Sequence, residues 1–175
     1  APAKEQGQSF LKLKNDMWNW NPVINRMIKL PPSMMSQGWM GSDYSNDDIL
    51  KESSIVQDYN HKIIGSETIS GFDCYKIQLD PLPDAAVVWG KIELWISKEG
   101  NYTLKAAYYD EDGAVVKTHL LSEIKFMHDR KLPTRFEIIP ADKPKQKTIV
   151  RILNAKFNIP LEDSFFSQQK MKNLK

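Results

Sequence analysis

Three histidines, one cysteine and a run of aspartates are the side chains of this 175-residue chain best suited to chemistry. His61, His119 and His128 lie far apart, and no His-Glu-x-x-His pair occurs, so the zinc-hydrolase pattern is absent. His119 reads as a mid-strand residue, and His128-Asp129-Arg130 falls where a hairpin turn is expected. Cys74 sits on an expected strand beside Tyr75, with no motif to lower its pKa, and reads as buried and inert. Gly41-Ser42-Asp43 places a serine after a glycine but lacks the second glycine of a Gly-x-Ser-x-Gly elbow. Asp43, Asp47 and Asp48 suggest a metal site or an acid–base pair. A hard cation, however, wants about six oxygens in a loop spacing not found here. Helix capping accounts for Asp47 and Asp48 without a ligand. No catalytic residue, metal ligand or cofactor is therefore expected.

Residues 17 to 48 point to binding. They hold five of the seven methionines (Met17, Met27, Met34, Met35, Met40) and three of the five tryptophans (Trp18, Trp20, Trp39). Methionine suits surfaces that adapt to variable apolar ligands. Trp18 and Trp20, two apart, share one face of a strand, and Met27 on the next strand can lie against it. Trp18, Trp20, Met27, Trp39 and Met40 are thus candidates for the wall or rim of an apolar cavity, with ordinary packed core as the competing reading. The composition then turns polar at Gly41-Ser42-Asp43-Tyr44-Ser45-Asn46-Asp47-Asp48. Gly41, Ser42 and Asp43 are expected to shape a turn. Ser45 is a good N-cap, with Asp48 placed to complete a capping box and Tyr44 and Ile49 to form a hydrophobic staple.

These residues need a scaffold, and the totals describe one. Hydrophobic residues make up 41%, charged residues 26%, and net charge is +2, ordinary for a globular domain with a real core. No basic surplus or basic-aromatic module calls for nucleic acid. Lys143, Lys145, Lys147 and Arg151 read as a solvated hairpin. No window approaches the roughly 20 apolar residues of a membrane span. The opening Ala-Pro-Ala-Lys lacks the apolar run of a signal peptide. One cysteine excludes an internal disulfide.

Alternation dominates the chain. Ser9 to Lys14 and Met17 to Trp20 read as a hairpin turning at Asn15-Asp16. Arg26 to Leu30 is a strand stopped by Pro31-Pro32. Lys62 to Ile69 and Cys74 to Leu79 flank Ser70-Gly71-Phe72. Lys91 to Ser97, Tyr102 to Tyr109 and Val115 to Ile124 form a meander, and Thr134 to Ile139 and Thr148 to Phe157 complete it. Strands recurring about every ten residues predict an antiparallel, mainly β fold. Several strands are apolar on both faces: Ile92, Leu94 and Ile96 oppose Trp95, and Val150 and Ile152 oppose Ile149, Leu153 and Phe157. Either something apolar covers both sides or the sheet curls around a lumen. Helices are few: Asn46 to about Glu52, and a turn or short helix over residues 161–166. Pro83 to Val88 reads as a loop or short lid.

Several blocks together resemble the outer-membrane lipoprotein-sorting (LolA-like) family. They are Gly7-Gln8-Ser9-Phe10-Leu11-Lys12 with Met17-Trp18 and Pro22, Met40-Gly41-Ser42-Asp43-Tyr44-Ser45 with Asp48 and Leu50, Tyr109-Asp110 with Gly113 and Lys117-Thr118, Leu132-Pro133-Thr134-Arg135, and Asp163-Ser164-Phe165-Phe166. The Met-Gly-Ser-Asp block resembles a divergent branch of that family. The resemblance implies a strongly curved antiparallel sheet, an incomplete β-barrel with short helices as a lid over an apolar cavity. It also implies a periplasmic, non-catalytic carrier of acyl chains from lipoproteins or another lipid, moving cargo toward the outer membrane. Members usually carry a further strand and helical segment before the Phe-Leu-Lys block. The expectation is a single domain over residues 1–175 that lacks them. An inner-membrane transporter is the protein partner to expect. The alternative is an envelope sensor or interaction module that docks a transporter without carrying cargo.

Overall fold

The computed structural model describes residues 3, 6–14, 16–51, 54–85 and 87–173. The chain divides into two compact units, residues 1–53 with 158–175, and residues 54–157. Each contains one antiparallel sheet, and neither sheet closes on itself. The fold is mainly β with short helices, as expected of an incomplete barrel.

The first unit holds β1 (Ser9–Leu13), β2 (Asp16–Asn21) and β3 (Arg26–Lys29) in that order. Asn15 of the expected first turn lies outside the described residues; Lys14 beside it adopts a left-handed φ of 53°. Strand alternation puts Met17 on one face of this sheet and Trp18 and Trp20 on the other, so two apolar clusters form. Leu11, Trp20 and Met171 pack with Trp18 and Met27 on one side. Met17, Leu30 and Leu50 pack with Phe10, Met35, Trp39 and Ile49 on the other. Leu50 and Ile49 come from α1 (Asn46–Lys51); Glu52, the expected end of this helix, lies outside the described residues. Met171 comes from α2 (Gln168–Met171), a turn of helix that the sequence reading missed, capped by the Ser167 hydroxyl. The expected turn over residues 161–166 appears as a 3-10 turn, Asp163–Phe166.

The second unit is a seven-stranded meander in which only sequence neighbours pair: β4 (Tyr59–Ile69), β5 (Phe72–Pro81), β6 (Lys91–Ser97), β7 (Thr103–Tyr109), β8 (Val115–Met127), β9 (Arg130–Pro140) and β10 (Thr148–Arg151). Ser70 and Gly71 join β4 to β5 with φ of 50° and 84°, the mirror-image turn that matches strand twist. Three register shifts, at Ile63/Gly65, Trp95/Ile96 and Tyr108/Tyr109, mark bulges that bend the strands carrying them. The last strand is shorter than expected. After Arg151 one further bond, Ile152 N–H to the Thr134 carbonyl, follows the ladder. The chain then leaves it, with Phe157 N–H donating to His128 Nδ1 at 3.1 Å and the Phe157 ring stacked on His128.

Candidate functional site

Register assigns each residue of the seven-stranded sheet to a face, because paired residues point the same way. One face carries charge. Glu93 meets Lys76 at 3.1 Å and Lys91 at 3.4 Å, and accepts from the Tyr109 hydroxyl at 3.0 Å. Burial raises the Glu93 carboxyl, but the Lys76 and Tyr109 hydrogen bonds outweigh it, so the pKa is lowered overall. The same network, with burial as the larger cause, pushes Tyr109 up to about 12. Trp95 lies between the Lys76 and Lys105 ammonium groups, 4.9 and 4.2 Å from its ring centre. Cys74 is fully buried on this face beside Trp95, and burial raises its thiol pKa, as a core cysteine requires.

The opposite face is apolar, and its side chains fall into three rows across the strands. The first row runs His61, Leu79, Ile92, Tyr108, Lys117, Pro140. The second runs Ile63, Ile77, Leu94, Ala106, His119, Ile138, Thr148. The third holds Ser66, Tyr75, Ile96 and Thr103 on one side of the bulged β7, and Leu121, Phe136 and Val150 on the other.

Burial varies along these rows as well as between them. In the first row Leu79 (0% exposed) and Ile92 (2%) are closed over by Tyr59, Ile55, Val87 and Trp89. The Tyr59 hydroxyl donates to the Trp89 carbonyl at 3.4 Å, tying the 82–90 loop to β4. In the second row Ile138 (0%), Ala106 (3%) and His119 are buried, Leu94 and Ile77 are half-buried, and Ile63 at the β4 edge is exposed. In the third, Leu121, Phe136 and Ile96 are half-buried, while Tyr75 (39%) and Val150 (38%) are open. A contiguous apolar face that remains open along one side is what an apolar ligand or partner needs, and soluble chains seldom leave one without use.

Two ionisable side chains interrupt the interior of this face. Lys117 is 5% exposed, and its Nζ lies 4.6 Å from the Trp89 ring centre and 5.1 Å from that of Tyr108. His119 packs on Tyr108 with ring centres 4.7 Å apart.

The residues singled out from sequence lie in the first unit. Trp20 pairs with Met27, and both join Trp18 against Met171. Lys172 lies over the Trp20 ring at 5.3 Å, and Lys29 over Trp18 at 5.9 Å. Trp39 belongs to the opposite cluster, edge-on to Phe10, and its Nε1 is buried with no hydrogen-bond partner among the described residues. Met40 and Gly41 both take left-handed φ, 51° and 71°. The Ser42 hydroxyl donates to the Trp39 carbonyl at 2.6 Å and accepts from Tyr44 N–H, closing the turn in which Asp43 sits. Gly38 pairs with Ser45 beneath it, and a Cβ at Gly38 would lie 2.6 Å from the Ser42 carbonyl oxygen. Ser45 N–H donates to Asp48 Oδ2 at 2.8 Å, and Asp48 N–H to Ser45 Oγ at 3.1 Å, a reciprocal capping box. Asp47 is buried, its N–H donating to the Met35 carbonyl. Among the described residues no three His, Cys, Asp or Glu side chains gather in a way that could hold a metal ion.

The three-row face was missed from sequence. Its signal was present in the opposition of Ile92, Leu94 and Ile96 to Trp95, but only register joins that strand to Tyr75, Phe136 and Val150.

Among the described residues no helix is long and apolar enough to cross a membrane. A family model described as "Uncharacterized protein" matches residues 1–173. No curated protein sequence matches the chain. Three solved structures are similar. A DUF1329 family protein from Desulfovibrio piger has TM-score 0.86 at 23% identity, over 98% of this chain and 73% of that one. A domain assigned to outer-membrane lipoprotein sorting, from Vibrio parahaemolyticus, has TM-score 0.84 at 21% identity, over 98% and 74%. A LolA superfamily protein from Nitrosomonas europaea has TM-score 0.75 at 25% identity, over 97% and 74%.

Proposed function

Because the chain belongs to the uncharacterized-protein family whose model spans residues 1–173 and has the LolA-like fold, we propose that it is a non-catalytic carrier of acyl chains. The apolar face of the seven-stranded sheet carries this reading: it is covered at the Trp89 end and open at Tyr75 and Val150. Burying hydrocarbon there gains about 0.8 kcal/mol per methylene, so holding a chain needs no polar contact with it. Trp18, Met27 and Met40, which keep partial exposure, are proposed as secondary contacts, with Trp20 and Trp39 supporting them. The cargo is lipoprotein acyl chains or another lipid, carried in the periplasm toward the outer membrane. A single domain spans residues 1–175.

Native mass spectrometry after gentle purification tests the carrier. Co-purified lipid, or uptake of an added fatty acid or lipopeptide, is expected. A protein that takes up neither overturns it. Docking to a transporter without cargo is the second reading. It is favoured by β4, an 11-residue strand on a free edge with most of its side chains exposed, to which an extended peptide can pair. Retention of partner binding after Ile77→Trp, which fills the face, would favour it over the carrier.

A further inference from the structure

The tip of the β8–β9 hairpin is apolar and basic at once. We infer that it docks on a lipid bilayer whose surface carries anionic head groups. Phe126 and Leu153 enter the interface, and the lysines and arginines around them meet the head groups. The inference stands independently of the carrier reading.

Phe126 is 67% exposed and Leu153 is 89% exposed. A lone exposed apolar side chain needs no explanation, but these two are presented by a held backbone. Phe126 is paired with Lys131 across the β8–β9 ladder. Leu153 lies between two bonds that fasten the departing chain: Ile152 N–H to the Thr134 carbonyl at 2.8 Å, and Phe157 N–H to His128 Nδ1 at 3.1 Å. The Arg130 guanidinium, 4.2 Å from the Phe157 ring centre, adds a third fastening. Phe126 and Leu153 thus flank the start of β9 from its two sides. Little backbone ordering is left to do when they dock, so little entropy is lost.

The charge around them has one sign. Residues 123–131 and 151–157 carry five basic side chains (Lys125, Arg130, Lys131, Arg151 and Lys156) against Glu123 and Asp129, a larger positive surplus than the +2 of the whole chain. Both carboxylates are already engaged, Glu123 by Lys125 at 3.1 Å and Asp129 by Arg130 at 2.7 Å. Lys131 and Lys156 are exposed, with long stems that let an ammonium reach a head group while the apolar residues beside them enter the interface. Apolar insertion and attraction to anionic lipid add in interfacial binding. A bilayer is fluid, so it accepts two protruding side chains without a groove shaped to fit them. Lys143 and Lys145, in the loop before β10, form an equally exposed basic pair and serve as the comparison.

The test is co-sedimentation of the full chain with vesicles of phosphatidylcholine alone or with roughly one-third phosphatidylglycerol. A basic side chain near an anionic surface is worth about fivefold in affinity, so the mixed vesicles should bind at least about tenfold more tightly. Raising the salt about tenfold should remove most of that preference. The double variant Phe126→Ser with Leu153→Ser changes only exposed side chains and should weaken binding to the mixed vesicles at least about fivefold. Lys131→Glu with Lys156→Glu should remove the preference, and Lys143→Glu with Lys145→Glu should keep most of it. Equal binding of both vesicle types by the unaltered chain, or no binding of either, overturns the docking surface and needs no variant to fold. Lipid uptake seen by native mass spectrometry would then leave the carrier standing. Equal losses in the two glutamate variants overturn the assignment to this hairpin tip. If the serine variant binds unchanged and polyglutamate captures the chain as well as the mixed vesicles do, the tip serves an acidic polypeptide and the bilayer reading falls.

Discussion

The Trp95 indole Nε1 donates to Glu67 Oε2 at 2.6 Å, tying β6 to the edge strand β4 across the whole width of β5. Trp95 is 3% exposed, so losing its acceptor leaves a desolvated N–H. Glu67→Leu should therefore cost about 1–3 kcal/mol in denaturant unfolding. Glu67→Gln, which keeps an acceptor oxygen, should cost less than half as much. Equal midpoints for the two variants would show that the bond does not hold the edge.

The Glu93–Tyr109 pair predicts a defined pH response. Tyr109 titrates near 12 in the folded chain against 10 for the free phenol, so its contribution is complete below pH 10 and is lost as pH rises from 10 through 12. Glu93 titrates below its ordinary 4.5, so its contribution is present above that value and is lost as pH falls through the lower folded value. Tyr109→Phe should remove part of the alkaline loss of stability, on the order of 2 kcal/mol between pH 9 and 12. Melting temperatures of the two proteins across that range should converge as pH rises; parallel curves would refute the assignment.

Each half of the capping box at α1 should be worth about 1 kcal/mol. Ser45→Ala removes the acceptor for Asp48 N–H, and Asp48→Ala removes that for Ser45 N–H. Because both bonds hold one helix start, the double variant should lose less than the sum. Calorimetric melting of the three variants reads this, and strict additivity would separate the two bonds.

Substitutions on the apolar face should separate core from ligand surface. Leu79→Ala, at the closed end, should cost about 2–5 kcal/mol. Tyr75→Lys and Val150→Lys, at the open side, should cost less than about 1 kcal/mol and yet abolish uptake of a fluorescent fatty acid. Unchanged uptake in both lysine variants would remove the open side from the ligand surface.

Local chemistry was legible in the residues themselves. The left-handed pair Ser70-Gly71, the stop at Pro31-Pro32 and the reciprocal Ser45–Asp48 cap are each written within a few residues. The pairing of Trp20 with Met27 followed from alternation across one hairpin. Alternation misled at the last strand, where Ile152 to Phe157 keeps the pattern but leaves the ladder for His128, and Leu153 is exposed. The large apolar face was out of reach because it is assembled across seven strands. Tyr75 and Val150 acquire a shared face only once every intervening register, including two bulges, is known. Lys117 is hidden for the same reason: in Val-Val-Lys-Thr-His it resembles any strand lysine, and its burial comes from Trp89 and Tyr108.

The two free edges, β4 and β10, have a mechanical consequence. In a closed barrel the bore is set by strand number and stagger, and widening it means breaking a ladder. A meander with unjoined ends has no fixed circumference. Its twist and coil can relax by small changes distributed over six strand pairs without breaking any backbone bond, with the bulges as the most compliant points. The width of the apolar face is therefore not fixed by closure of the sheet, as the bore of a barrel is.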